Sequence, residues 1–247
     1  MKNTEHWKPT KYELRNGRLR ASRNPQFVSV SSRLMIDVTA SFYQSALPEY
    51  ARGSLADMGC GNVPFYMIYK NLVSEITCID WPNTLHKNQY LDLECDLNKP
   101  LSLPDNQFDT IIISEVFEHI AEPEVLWSEL ARILKPNGKM LVSVPFLYKI
   151  HEAPHDYFRY TEFALKNYAT KNNLHVLELR SFGGLPLVLT DLYAKMLVKI
   201  PLIGNALAAF IQSLCLWFIH TRLGKRLSAN TGKAYPLGYF LVVEKRG

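Results

Sequence analysis

From residue 54 onward, short apolar runs that end in an acid or a polar turn alternate with longer stretches of helical spacing. Leu55-Ala56 runs into Asp57 and turns through Gly59 and Gly61, while Ile76-Thr77-Cys78-Ile79 ends in Asp80. Asp92 to Leu97 is a third, weaker run, and Phe108 to Ser114 is continuous enough for a parallel strand buried on both faces. Pro123 to Leu134 has helical periodicity, Pro136-Asn137-Gly138 reads as a turn, and Lys139 to Val144 as a fifth strand. This alternation over residues 54–145 predicts a Rossmann-like, doubly wound α/β sheet. Farther on, Thr161 to Lys171 predicts a helix with Thr161 as N-cap. Leu174 to Ser181 alternates like a strand, and Tyr239 to Val243 is the last apolar run.

The turn after the first strand carries chemistry as well as fold. Its glycines let the backbone bend sharply and approach a ligand closely. In a dinucleotide fold that turn holds a diphosphate at a helix N-terminus, and a carboxylate at Asp57 would repel it. Asp57 therefore argues against NAD and for S-adenosylmethionine, whose methionyl ammonium needs an anionic neighbour. Asp80 lies about twenty residues farther on, where a nucleotide-binding unit places the acceptor for both ribose hydroxyls.

With Asp96-Leu97 after the third strand, Phe108-Asp109 opening the fourth, Glu118-His119 after it and Leu134-Lys135-Pro136-Asn137-Gly138 before the fifth, residues 54–145 resemble the class I S-adenosylmethionine-dependent methyltransferases of the type 11 group. The resemblance implies a seven-stranded, mostly parallel sheet whose last strand is antiparallel, and a methyltransferase. It further implies that Asp57 and the turn Gly59-Cys60-Gly61 hold the methionyl part, Asp80 the ribose, and Asp96 with the Leu97 amide the adenine. Trp81, Ser114, Glu115 and His119, at or beside strand carboxyl ends where ligands bind in such sheets, complete the expected cofactor-binding set. Where the family commonly has a third glycine this chain has Val63 followed by Pro64, which predicts a differently shaped last turn of the loop.

Pro145 to Thr161 follows the fifth strand, at the sheet end where a methyl acceptor would lie. His155 or His151 there is the candidate general base, with Asp156 orienting it and Arg159 pairing with an anionic group on the substrate. The competing reading makes Asp156 and Arg159 a structural ion pair. Metal ligation by His151, His155 and Asp156 is set aside because Pro154 breaks the helix that would align the two imidazoles, so no metal ligand is assigned.

About fifty-five residues separate the last two predicted strands, far more than a hairpin connection needs. This helical insertion, residues 185–235, is strongly apolar, and 201–219 carry no formal charge. A single membrane span is excluded if both flanking strands belong to one sheet. A cap over the acceptor, a homodimer interface and an interfacial membrane anchor remain, with Trp217, Arg222, Lys225 and Arg226 favouring the anchor.

With 247 residues and 47% hydrophobic content, the chain is long enough for one large core with elaborations: an N-terminal basic arm and helix over 1–50, then the catalytic domain over 51–247. The net charge of +5 is concentrated in residues 1–33, which hold Lys2, Lys8, Lys11, Arg15, Arg18, Arg20, Arg23 and Arg33 against Glu5 and Glu13. A solvated or partly disordered arm is the expectation. No nucleic-acid module is recognisable, and Ser114-Glu115-Val116-Phe117 is not the Asn/Asp-Pro-Pro-Tyr/Phe motif of macromolecular methylation. The four cysteines lack CxxC spacing and read as buried thiols in a reducing compartment, and the N-terminus lacks a signal-peptide core, which points to the cytoplasm or the inner face of a membrane. The expected activity is methyl transfer to a small-molecule or lipid-linked acceptor. The alternatives are a non-catalytic ligand-binding or membrane scaffold, or methylation of a macromolecule.

Overall fold

The computed structural model describes residues 1–81 and 88–247. A hairpin of β1 (Tyr12–Arg15) and β2 (Arg18–Ala21) and a long helix α1 (Arg33–Tyr50) precede the alternating region. There follow β3 (Ser54–Met58), a short α2 (Tyr66–Tyr69), β4 (Glu75–Asp80), β5 (Leu93–Glu94), β6 (Phe108–Ser114), α3 (Pro123–Ile133), β7 (Leu134–Pro145), α4 (Glu162–Lys171) and β8 (Leu174–Gly183). Three helices, α5 (Leu185–Leu197), α6 (Gly204–Phe218) and α7 (Arg222–Gly232), separate β8 from the final β9 (Pro236–Lys245).

Strands β3 to β9 form one seven-stranded sheet of order β5-β4-β3-β6-β7-β9-β8, in which β9 runs antiparallel to both neighbours and the β5-to-β7 pairs are parallel. This is a doubly wound sheet with the seven strands and antiparallel last strand that the resemblance implied, and the helical insertion falls between the last two strands of the chain. Both faces are covered. In β6, Ile111 and Ile113 join a cluster with Phe117, Trp127 and Leu130, while Ile112 points the other way, to Leu34, Tyr43 and Phe240. A strand apolar on both sides belongs only in such a sheet.

Two expectations are corrected. The basic arm is folded: Tyr12 and Leu19 are buried with α1, and the Met1 ammonium lies 2.7 Å from Asp92 Oδ2. Residues 1–50 thus share a core with Leu55, Phe65 and Phe240 of the sheet region. The Pro-Asn-Gly turn is absorbed into the start of β7, with Asn137 at φ 61. Val63, after the glycine turn, has a left-handed backbone at φ 51 and is fully buried, a conformation that stores local strain in a β-branched residue. Thr161 does cap α4, accepting a hydrogen bond from the Ala164 amide at 3.2 Å.

Candidate active site

The order of β3 and β6 sets the site. The chain leaves β3 toward β4 on one side and returns to β6 on the other, opening a crevice beyond the strand carboxyl ends, where ligands settle in this class of sheet. Gly59 lies at the back of that crevice at φ 65, and a Cβ there would stand 2.4 Å from Val116 Cγ2, so only glycine lets the loops after β3 and β6 touch. Gly61 differs. It also has a positive φ, of 48, but a Cβ on it would meet nothing within 4 Å, which leaves room for a ligand against bare backbone.

Two carboxylates frame this space. Asp57 is buried near the end of β3, where its Oδ2 accepts the Tyr69 hydroxyl at 2.8 Å; burial and, to a lesser degree, neighbouring Asp80 push its pKa up to about 7 against the lowering effect of that hydrogen bond. Asp80 accepts the Gly61 amide on Oδ2 and the Trp81 amide on Oδ1, each at 2.7 Å, so it shapes the glycine loop as well as facing the crevice. Buried carboxylates beside open space call for a cationic or hydroxyl-rich ligand. The ammonium and ribose of S-adenosylmethionine meet that demand, so the residues fit the cofactor. Cys60 is buried behind the loop, and Asn88 Nδ2 donates to the Gly61 carbonyl. Asp96 lies farther out, paired with Lys99 at 3.1 Å and accepting the Asn98 amide, while Leu97 is buried in the core.

The acceptor side is built from the ends of β6 and β7. Ser114 Oγ lies 3.0 Å from Ser143 Oγ, which also accepts the Tyr43 hydroxyl at 3.3 Å. Glu115 follows with φ 55, a backbone region that a non-glycine residue enters only where the surroundings impose it. Its pKa, like that of Glu118, is pushed up to about 7 by burial. Glu118 is fully buried, and neither carboxylate oxygen has a hydrogen-bond partner among the described residues. His119 Nε2 and His151 Nε2 each lie 3.7 Å from Glu118 Oε1. An open cleft of about 220 Å³ reaches this cluster and is lined by Lys11, Tyr12, Met35, Glu115, Tyr148 and His151 among others.

The loop between β7 and α4 is fastened over the cleft by backbone contacts. The Tyr157 amide donates to the Glu118 carbonyl at 2.8 Å, and the Tyr160 hydroxyl to the Phe117 carbonyl at 3.1 Å. Asp156 receives Arg159 through both oxygens and also the His151 amide at 2.8 Å. Of the two sequence readings for this pair, the structure realises the internal ion pair. Asp156 orients His151 rather than His155. His155 is exposed, edge-on to Trp81 at 5.3 Å between ring centroids, with Nδ1 3.1 Å from the Tyr157 hydroxyl.

Sequence reasoning missed Tyr69, Lys11 and Tyr12. They come from α2 and the N-terminal hairpin, and no motif spacing links them to Asp57 or Glu115.

A family model described as "Methyltransferase domain" matches residues 56–142. The chain is 30% identical over 111 residues to a ubiquinone biosynthesis O-methyltransferase of Xanthomonas oryzae pv. oryzae, an alignment covering 41% of this chain and 46% of that protein. It thus spans less than half the length of the curated relatives it matches. Among solved structures, an S-adenosylmethionine-dependent methyltransferase from Archaeoglobus fulgidus aligns over 85% of this chain and 94% of its own, with TM-score 0.56 and 15% identity. One from Mesorhizobium loti aligns over 82% and 95%, with TM-score 0.52 and 14% identity. The [4+2]-cyclase SpnF also shares the fold, at TM-score 0.52 and 18% identity over 85% of this chain and 82% of its own, so the fold alone does not dictate methyl transfer. The matched segment contains Asp57, the glycine loop, Asp80 and Glu118-His119, so residues 56–142 carry a methyltransferase domain of the type 11 group.

Proposed function

We propose that the protein transfers a methyl group from S-adenosylmethionine to an oxygen of a lipid-linked small molecule, working as a peripheral protein on the cytoplasmic face of an anionic membrane. The observation that carries the methyl-transfer reading is the pair Asp57 and Asp80 on adjoining strand ends around an open glycine turn. The similarity to a ubiquinone biosynthesis O-methyltransferase supports oxygen as the acceptor atom and a lipid-linked acceptor.

When bound, S-adenosylmethionine supplies an electrophilic methyl whose C–S bonding pair stays on sulfur. The protein has little covalent work to do. Asp57 and Asp80 hold the donor, and the fastened loop between β7 and α4 keeps water out and fixes the acceptor in line. His155, beside Trp81 and exposed to solvent, takes the hydroxyl proton as the new C–O bond forms and passes it to water.

The membrane reading rests on helices turned inside out. In α5 the charged Asp191 is buried and pairs with Lys195, while Leu189, Leu192, Tyr193 and Met196 are exposed. In α6 the buried Gln212 accepts the Leu34 amide at 2.8 Å, while Leu207, Phe210, Leu214 and Trp217 are exposed. Such faces want an apolar partner. Arg222, Lys225 and Arg226 are exposed on α7, and Arg15, Arg23 and Arg33 line a cleft between the hairpin, α1 and α6, which supplies the charge that anionic headgroups require. Among the described residues no single helix is long and apolar enough to cross a membrane.

Adenosylhomocysteine release, measured with lipid and aqueous fractions of a cell extract, tests the activity. Release that requires the lipid fraction and falls sharply in His155→Ala with unchanged cofactor affinity is the expected result. Release from the aqueous fraction that nuclease or protease abolishes would point to a macromolecular acceptor, and cofactor binding without release would point to a scaffold.

A further inference from the structure

Glu118, His119 and His151 bring three electron-pair donors close together at the inner end of the acceptor cleft. Their ligand atoms all lie within 4.8 Å of one another. His119 Nδ1 is 2.5 Å from the His155 carbonyl oxygen, so it carries a proton and donates it, and in the neutral imidazole the lone pair then sits on Nε2, facing Glu118. His151 Nε2 also faces Glu118 Oε1, while its Nδ1 lies 3.3 Å from Asp156 Oδ2 without hydrogen-bonding it. The carbonyl behind the His119 imidazole is the support that metal-ligating histidines ordinarily have, and His151 has a carboxylate close by. Between them stands a carboxylate that is fully buried and has no hydrogen-bond donor on either oxygen among the described residues. Buried carboxylates are not left that way without a cation or a proton.

We propose that Glu118, His119 and His151 bind one divalent cation at the inner end of the acceptor cleft. The 3.7 Å separations between Glu118 Oε1 and each imidazole nitrogen need close by only a few tenths of an ångström to reach the spacing of about 3.0 to 3.4 Å that bonds of about 2.1 Å impose. Two imidazoles and one carboxylate suit first-row ions such as Mn2+ and Zn2+, and three protein ligands leave coordination positions open. Glu115 lies beside the cluster, and Glu152 Oε2 is 3.9 Å from His119 Nε2, so further carboxylate oxygens are within reach. The open positions face the cleft and would take acceptor oxygens, lowering the pKa of a bound hydroxyl so that its proton passes more readily to His155 as the C–O bond forms. That role rests on the proposed methyl transfer; cation binding itself does not.

The test is Mn2+ binding to the full-length chain, followed by electron paramagnetic resonance and checked by Zn2+ calorimetry. One saturable Mn2+ per chain is expected, with affinity lowered at least tenfold in Glu118→Gln, His119→Ala and His151→Ala and unchanged in His220→Ala. Mn2+ should also raise the melting temperature of the wild type but not of His119→Ala or His151→Ala, which keeps the test decisive should Glu118→Gln fold poorly. No saturable binding of either ion, or binding that all three variants retain, overturns the site. Adenosylhomocysteine release assayed with EDTA separates the two readings. Cation binding with turnover indifferent to EDTA overturns the acceptor role alone, and cation binding without turnover on any fraction overturns the methyl-transfer reading while the site stands.

Discussion

Asp156 holds Arg159 through both carboxylate oxygens, at 2.5 and 2.8 Å, and this pair closes the loop that roofs the acceptor cleft. The Asp156 side chain is almost fully buried, and the guanidinium holds its carboxyl well below the usual carboxylate range. Removing one partner of such a pair strands a charge. Arg159→Ala should therefore destabilise the protein by about 3 kcal/mol in urea unfolding, and Arg159→Lys should recover only part, because lysine lacks the two-pronged geometry. A loss within about 0.5 kcal/mol would show that the pair is solvated and does not fasten the loop.

Asp57 makes cofactor affinity depend on pH. Its pKa in the free protein is pushed up to about 7 by burial, whereas an ammonium ligand needs the ionised form. Affinity for S-adenosylmethionine should therefore fall as the pH drops from 8 to 6, with Asp57→Asn binding weakly and without that pH dependence. Stability has its own sign. The folded state holds a proton that the unfolded chain gives up above about pH 4, so this group's contribution is complete below pH 4 and is lost as pH rises toward 7. Calorimetry and melting curves across the same pH range check both.

Asp80 does two things at once, facing the crevice and holding the Gly61 amide. Asp80→Ala should weaken S-adenosylmethionine by at least tenfold, since a contact accepting two ribose hydroxyls is worth on the order of 1.5 to 3 kcal/mol. Unchanged affinity by calorimetry, or tighter binding of NAD than of S-adenosylmethionine, would remove Asp80 from the cofactor site.

Vesicle flotation tests the outward apolar faces. Replacing Phe210, Leu214 and Trp217, which stand on one exposed stripe of α6, with serine should abolish flotation with anionic vesicles while leaving the melting temperature within a few degrees. Binding should also weaken with salt, because each basic residue near the surface contributes about 1 kcal/mol of screened attraction. A stable dimer by light scattering that ignores lipid would assign the same faces to a second copy instead.

The order of β3 to β7, the turn at Gly59 and Gly61 and the acids at Asp57 and Asp80 were legible in the sequence because each is local. A strand period, a turn residue and a strand-ending acid announce themselves within a few positions. The acceptor side was legible only in part: the sequence placed His151, Asp156 and Arg159 after the fifth strand, but Glu118-His119 follows β6 and His151 follows β7, and no spacing rule connects them. Reading His151 with His155 on one broken helix set metal aside, whereas the tertiary structure turns His151 toward Glu118 and leaves His155 outside. The N-terminal charges likewise suggested a solvated arm, and only packing showed Tyr12 buried and Lys11 on the cleft. In the insertion, the sequence showed apolar helices carrying Asp191 and Gln212 but not which way they point. Hydropathy counts residues on a helix, and only the neighbours it meets decide which face is inside.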